Sequence, residues 1–272
     1  MLRTRFAPSP TGLLHLGNAY SALYCEQWAK QQQAQLWLRI EDIDHTRCRP
    51  PYIQAIRDDL TWLGMSWQNE APLQSARLHV YEHVLKELQQ QDLIYPCFCT
   101  RRDFALHSPS TVESRWQCPQ ACAQLSSSAR QRQMAQKSYA MRLNCAVARH
   151  GTASDLAWQD HQQQYHHVWD ELNADPIIGR KDIRYSYHLC VVVDDAEQGI
   201  THIIRGMDLL PSTAIHRLLQ ALLSLPSPLY AHHPLLLDNQ GQRLAKRVAS
   251  TALQAMRETG VSAASVRQKL RR

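Results

Sequence analysis

Arg5-Phe6-Ala7-Pro8-Ser9-Pro10-Thr11-Gly12-Leu13-Leu14-His15-Leu16-Gly17-Asn18 is the stretch whose reading decides the fold. Arg3 to Phe6 reads as a short strand, broken by the Pro8 and Pro10 loop, since proline removes a backbone donor and keeps its neighbours extended. A helix is predicted to begin near Gly17, with Ala22, Leu23, Cys25, Trp28 and Ala29 on a mostly apolar face. A strand-to-helix turn of small residues brings backbone close to a phosphate chain at a helix N-terminus. There the unpaired N–H groups and the helix dipole favour anions. In this reading His15 donates to phosphate, and Gly17 removes the side chain that would block an adenine. An isolated His-Leu-Gly in a Pro/Gly turn is more often incidental, so the argument needs the flanking sequence.

Leu36, Leu38 and Ile40 alternate and predict a second strand ending at Glu41-Asp42. Ile53, Ile56, Leu60 and Leu63 follow helical spacing and stop at Gly64. Strand, helix, strand, helix is the opening half of a doubly wound parallel sheet. From about Ser66 to Asp175 the texture changes to helix-like stretches (Leu78 to Gln90), cysteines and a Gln/Ser/Arg-rich surface run. Beyond Asp182, Cys190-Val191-Val192-Val193 is expected as a buried strand and Ile200 to Ile204 as another. Ser212 to Leu223 is expected as a helix, and a last helix as running from about Ser250 to the basic end at Arg267 to Arg272. The predicted architecture is α/β, a Rossmann-type doubly wound parallel sheet with a zinc-bearing insertion and a short helical C-terminal segment. Its parts are a split catalytic domain at 1–65 and 176–225, an insertion at 66–175 and a C-terminal segment at 226–272.

At 272 residues, with 44% hydrophobic and 20% charged residues, the chain has the composition of an ordinary globular protein rather than a disordered one. No apolar run approaches the roughly 20 residues that span a bilayer. The first motif also starts too early to leave room for a signal peptide, so a cytoplasmic enzyme with no membrane association is expected. A net charge of +6 permits a polyanionic partner without requiring one. No obligate protein partner is evident. Eight cysteines in a reducing compartment stay reduced, so clustered ones read as metal ligands. Cys97-Phe98-Cys99 and Cys118-Pro119-Gln120-Ala121-Cys122 form two close pairs separated by a loop, able to wrap one tetrahedral Zn²⁺. The competing reading of the same spacing is four reduced cysteines packed as small hydrophobes.

The stretch from Arg5 to Gly17 closely resembles the signature of the glutamyl- and glutaminyl-tRNA synthetase branch of class I synthetases, with His15-Leu16-Gly17-Asn18 as its "HIGH" element. Leu38 to Asp44, Tyr187-His188-Leu189 with Val192 to Asp195, and Ile203-Ile204-Arg205-Gly206 resemble later landmarks of that branch, in order. The resemblance implies that Arg5, Ala7, Ser9, Glu41, Tyr187 and Arg205 line a pocket for L-glutamate. Glu41 would meet the α-ammonium and Arg205 the side-chain carboxylate. It implies ATP binding by His15, Gly17, Asn18, Arg243 and Lys246, with His15 and Lys246 catalytic and Mg²⁺ accompanying ATP. Arg243-Leu244-Ala245-Lys246-Arg247 stands where the family has "KMSKS"; the first lysine is Arg243 and the serine is Ala245, which removes a hydroxyl contact. The chain ends about one helix beyond Lys246, where glutamyl-tRNA synthetases continue into an anticodon-binding domain. It therefore resembles the truncated paralogues that transfer activated glutamate to queuosine in the anticodon of tRNA(Asp). In those paralogues this cysteine region holds one structural zinc, implying Cys97, Cys99, Cys118 and Cys122 as ligands. Arg101, Arg102, Arg115, Arg130 and Arg132 fit an RNA path or a solvated surface equally well. Two other readings remain open: transfer of glutamate to another tRNA or a small amine, and a catalytically weak RNA- or zinc-binding paralogue.

Overall fold

The computed structural model describes residues 1–100, 102–103, 118, 122–172, 174–236 and 252–270. Arg101, Arg115, Arg243, Ala245 and Lys246 lie outside the described residues. In chain order the elements are β1 (Arg3–Phe6), α1 (Leu16–Gln31), β2 (Gln35–Leu38), α2 (Pro50–Trp62), β3 (Asn69–Glu70), α3 (Leu78–Gln90) and β4 (Ile94–Cys97). There follow α4 (Ser127–Gln136), β5 (Ala140–Leu143), α5 (Cys145–His150), β6 (Ala157–Gln159), β7 (Tyr165–His167), α6 (Val168–Glu171) and β8 (Ile177–Gly179). The last are α7 (Tyr187–Glu197), β9 (His202–Gly206), α8 (Thr213–Leu222), β10 (Leu229–His233), α9 (Leu253–Glu258) and α10 (Ala263–Leu270). No helix among the described residues is long and apolar enough to cross a membrane.

Two compact units result. One comprises Met1–Arg77, Glu197–Leu210 and Pro228–Arg272. In it β1 pairs in parallel with β2, β2 with β3, and β9 with β10. The Thr201 N–H donates to the Arg3 carbonyl at 3.0 Å, and the Cys25 thiol of α1 lies 3.8 Å from the Arg5 carbonyl and 3.6 Å from that of Ile204. These contacts bring β9 beside β1, so the strands run β3-β2-β1-β9-β10 across the unit. The chain order reverses between β1 and β9, which is where open α/β sheets bind ligands. Phe6, Leu36, Leu38, Ile40, Ile56, Leu60 and Ile204 form the core with Leu253, Val266 and Leu270 of the two last helices. Helix α2 starts on Pro50 and Pro51, whose missing donors cost nothing at a helix start. It ends at Gly64, at φ +71°, with the Met65 N–H returning to the Leu60 carbonyl.

The other unit comprises Leu78–Ala196 and Pro211–Ser227. It holds an antiparallel sheet in the order β4-β5-β8 and a β6–β7 hairpin. Two expectations are corrected. Cys190 to Val193 is not a strand; it lies inside α7, a helix whose residues from Leu189 to Asp195 are all buried. A helix covered on every side loses its 3.6-residue pattern, and a short apolar run then reads equally as a strand. The helical choice is set locally by the Ser186 hydroxyl, which accepts from the Leu189 N–H at 3.3 Å, and Tyr81 donates to the buried Asp194 carboxylate at 2.9 Å. The last helix is two helices, divided at Gly260 (φ +81°), where the Val261 N–H turns back to the Met256 carbonyl.

Asp59 on α2 is fully buried, and neither carboxylate oxygen accepts a hydrogen bond. Its nearest cation is Arg257 of α9, at 3.8 Å. Burial raises the Asp59 carboxyl to about 6, against the opposing pull of Arg257. The folded-state value lies above the unfolded one, so the folded chain holds the proton longer. Stability from this group is full below about pH 4 and is lost as pH rises through 6, by about 2–3 kcal/mol. Asp59→Asn is expected to raise unfolding free energy in urea by up to about that amount at pH 7.5, and by little at pH 4.

Candidate active site

The C-terminal ends of β1, β2 and β9 carry the polar residues of the first unit. Arg5 and Arg205 are each 4% exposed and Glu41 is 6% exposed. Strand β2 continues past its last residue through Arg39 N–H to the Phe6 carbonyl and Glu41 N–H to the Pro8 carbonyl, both 3.0 Å. Those two bonds fix the Ala7-Pro8-Ser9 turn against Glu41. Arg39, with no solvent exposure, donates from Nε and Nη2 to Glu41 Oε1 at 3.3 and 3.1 Å, and from Nη1 to Gln198 Oε1 at 3.0 Å. The guanidinium thus ties Glu41 to Gln198. Burial pushes the Cys25 thiol up to about 12, so it stays a neutral S–H beneath β1 and β9.

His15 is the N-cap of α1. Its Nδ1 accepts from the Gly17 N–H at 3.0 Å while the Asn18 side chain accepts from the His15 N–H at 3.1 Å. An Nδ1 that accepts carries no proton, so the neutral ring has its proton on Nε2. The same segment meets the far end of the chain: His15 bridges Ala252, and the Leu253 N–H donates to the Leu14 carbonyl at 2.8 Å. On β9, Arg205 donates from Nε to His232 Nε2 at 3.2 Å and its guanidinium lies 5.4 Å from the Tyr230 ring centre. His232 therefore carries its proton on Nδ1. Gly206 has no room for a side chain, because a Cβ there would meet the Asp208 carboxylate and Leu235.

The first unit thus gathers Arg5, Ala7, Ser9, His15, Gly17, Asn18, Glu41 and Arg205 from the sequence reading. Tyr187 belongs to the second unit, as the first residue of α7, with its ring 5.6 Å from those of His188 and His216. Arg39, Gln198, Tyr230 and His232 were not singled out as functional. Arg39 was detectable as the residue sharing a strand face with Glu41, two positions on. His233 is buried between Tyr20 and Tyr24, and burial lowers its basicity.

In the second unit Cys97, Cys99, Cys118 and Cys122 offer sulfurs all within 4.8 Å of one another, with neighbouring pairs at 3.3, 3.5 and 3.8 Å. Four thiolates about 2.3 Å from a tetrahedral zinc lie roughly 3.8 Å apart, so the donor set fits one ion. Burial drives the Cys99 thiol up to about 12, and hydrogen bonds from Cys118 hold Cys122 far below its usual range. Four such sulfurs ionise together only beside a cation.

The whole chain, residues 1–272, matches the family described as tRNA synthetases class I (E and Q), catalytic domain. The chain belongs to that family and is an enzyme of the ligase type its members share. It is 38% identical to a Glutamyl-Q tRNA(Asp) synthetase of Rhodobacter capsulatus, over 97% of this chain and 98% of that one. It is 38% identical to the protein so named in Nocardia farcinica, over 95% of this chain and 80% of that one. Among solved structures it resembles a glutamate-tRNA synthetase of Elizabethkingia anophelis, with a TM-score of 0.74 and 27% identity, covering 95% of this chain and 54% of that one.

Arg39 leads to a direct test. Arg39→Met leaves Glu41 buried without its counter-charge, and a loss of about 3–5 kcal/mol in urea unfolding is expected. Arg39→Lys is expected to recover little, since one ammonium cannot reproduce the fork that spans Glu41 and Gln198.

Proposed function

We propose that the chain activates L-glutamate with ATP as glutamyl-adenylate and transfers it to queuosine in the anticodon of tRNA(Asp). The observation that carries the activation step is the constellation of Arg5, Glu41 and Arg205, all nearly buried at the strand ends of the first unit. Two guanidinium groups and one carboxylate match a substrate with two carboxylates and one ammonium. Ala7 and Ser9 line this pocket, and Tyr187 is a further glutamate-binding residue. The acceptor rests on similarity along nearly the full length of proteins named Glutamyl-Q tRNA(Asp) synthetase.

Glutamate's α-carboxylate is ionised at neutral pH and attacks the α-phosphorus of ATP directly, with pyrophosphate leaving. No general base is required. The work is positioning and charge stabilisation: the Nε2–H of His15 and the first amides of α1 face developing phosphate charge, with Gly17 and Asn18 beside the nucleotide. Arg243 and Lys246 supply further positive charge, and ATP brings its Mg²⁺. An acceptor hydroxyl then displaces AMP from the glutamyl carbonyl. Zinc held by Cys97, Cys99, Cys118 and Cys122 closes the knuckle and takes no part in the chemistry. A second reading, transfer to a different tRNA, draws on 35% identity to a Glutamate--tRNA ligase 2 of Gluconobacter oxydans, of which this chain spans 59%.

Two experiments test these steps. Arg205→Ala is expected to lower kcat/KM for glutamate in ATP–pyrophosphate exchange by at least about thirtyfold, the effect of losing a buried charge-paired contact of about 2–5 kcal/mol, while ATP binding persists. An unchanged KM for glutamate refutes the pocket. Charging of tRNA(Asp) with and without queuosine decides the acceptor: glutamate is expected only on the modified tRNA, and charging of neither, with glutamate activation intact, favours the second reading.

A further inference from the structure

Two adjacent histidines close strand β10 and serve its two faces. In the parallel pairing of β9 with β10, His232 stands opposite Arg205 and Tyr230 opposite Ile203. Side chains alternate along a strand, so Tyr230 and His232 share one face while Ala231 and His233 share the other. The Tyr230 and His232 rings lie within 4° of parallel, their centres 6.3 Å apart. Arg205 is laid across this face. Its Nε donates to His232 Nε2 at 3.2 Å, and its guanidinium carbon is 5.4 Å from the Tyr230 ring centre.

The opposite face fastens the strand end. His233 Nδ1 donates to the Pro234 carbonyl at 2.9 Å, which leaves Nε2 without a proton, and the Ser21 hydroxyl of α1 donates to that nitrogen at 2.7 Å. Tyr20 and Tyr24, also on α1, hold their ring centres 5.2 and 5.1 Å from that of His233. The backbone that carries His232 is thereby tied to α1, and the Arg205 side chain is tied to His232. All these residues belong to the first unit.

The kind of acceptor matters as much as its place. An arginine whose Nε is engaged receives a carboxylate on its terminal nitrogens, and the tether at Nε sets where these point. An aspartate or glutamate in the place of His232 would orient the guanidinium equally well, but it would also satisfy the charge that a substrate carboxylate needs. A neutral imidazole orients the arginine and leaves its charge in force.

We infer that His232 is a positioning residue for glutamate recognition: it aims Arg205 through Nε without neutralising it, while His233 holds the strand from behind. The inference rests on the reading of Arg205 as the residue that meets the side-chain carboxylate of glutamate.

The test is ATP–pyrophosphate exchange by the full chain, with kcat and KM measured for glutamate and for ATP beside urea unfolding. His232→Ala is expected to raise KM for glutamate about tenfold, the scale of one charge-assisted hydrogen bond, with KM for ATP and the unfolding midpoint unchanged. His232→Phe keeps a ring beside Tyr230 but lacks an acceptor; it is expected to behave alike and replaces His232→Ala if that variant does not fold. His232→Gln, whose amide oxygen is a neutral acceptor, is expected to restore most of the loss. In an Arg205→Ala background, His232→Ala is expected to change kcat/KM for glutamate by less than about twofold, because nothing is left to orient. An unchanged KM for glutamate in His232→Ala, beside a raised one in Arg205→Ala, overturns the inference and leaves the pocket standing. Equal rises in both KM values, a full further loss in the double variant, or a His232→Gln no better than His232→Ala also overturn it. No rise in Arg205→Ala refutes the pocket itself, and the role of His232 falls with it.

Discussion

A guanidinium sealed from solvent must find oxygen for its N–H groups inside the protein, and Arg39 does so by joining parts of the chain distant in sequence. Two of its nitrogens hold Glu41 on its own strand, and a third holds Gln198, just before β9. Arg3 reinforces the join by donating to the Gln198 carbonyl and to Gln35. The later half of the sheet is thereby registered against the first half at the level where Glu41 sits. A buried ion pair of this kind contributes little net stability over an apolar pair, because both charges are desolvated. Its effect is geometric: Arg39 fixes the orientation of the Glu41 carboxylate.

The same economy governs the N-terminus of α1. His15 is the cap that makes the helix start where it does, and the activation step proposed for this chain asks it to face phosphate as well. A His in the cap position is uncommon, since Ser, Thr, Asp and Asn reach backbone donors more easily. Here the ring spends Nδ1 on Gly17 and keeps Nε2–H as donor. The Ala252 bridge and the bond from Leu253 to Leu14 then fasten the chain beyond the lysine-bearing segment to the backbone of this cap.

The first half of the sheet was legible because its elements carry their own patterns. Leu36 and Leu38 alternate on a strand covered on one side, and Ile53, Ile56 and Leu60 keep a helical stripe because only one side of α2 is covered. Proline and glycine mark the ends of both. Reading failed where burial erased the pattern. Leu189 to Val193 is apolar throughout because every side of α7 is covered, and nothing in those residues separates strand from helix; the deciding contacts are the Ser186 cap and the Tyr81–Asp194 bond across many residues. Arg5, Glu41 and Arg205, which the structure shows nearly buried, were singled out through motif resemblance. Their supports were not, since Gln198, Tyr230 and His232 acquire meaning only when β9 and β10 pair and bring Ala231 and His232 opposite Ile204 and Arg205.

His15 and His232 show how one residue type is set to opposite uses by a neighbouring donor. A backbone amide on His15 Nδ1 forces the proton to Nε2, leaving the ring a donor there. The Arg205 Nε on His232 Nε2 forces the proton to Nδ1, turning that ring into an acceptor for a cation. The second arrangement constrains Arg205 as well. With Nε committed to His232 and its plane beside Tyr230, the guanidinium loses rotational freedom before any ligand arrives. A carboxylate then meets a fork already oriented, and less conformational entropy is lost on binding than with an untethered arginine. The aromatic residue and the histidine behind Arg205 therefore set its orientation, although neither need touch a ligand.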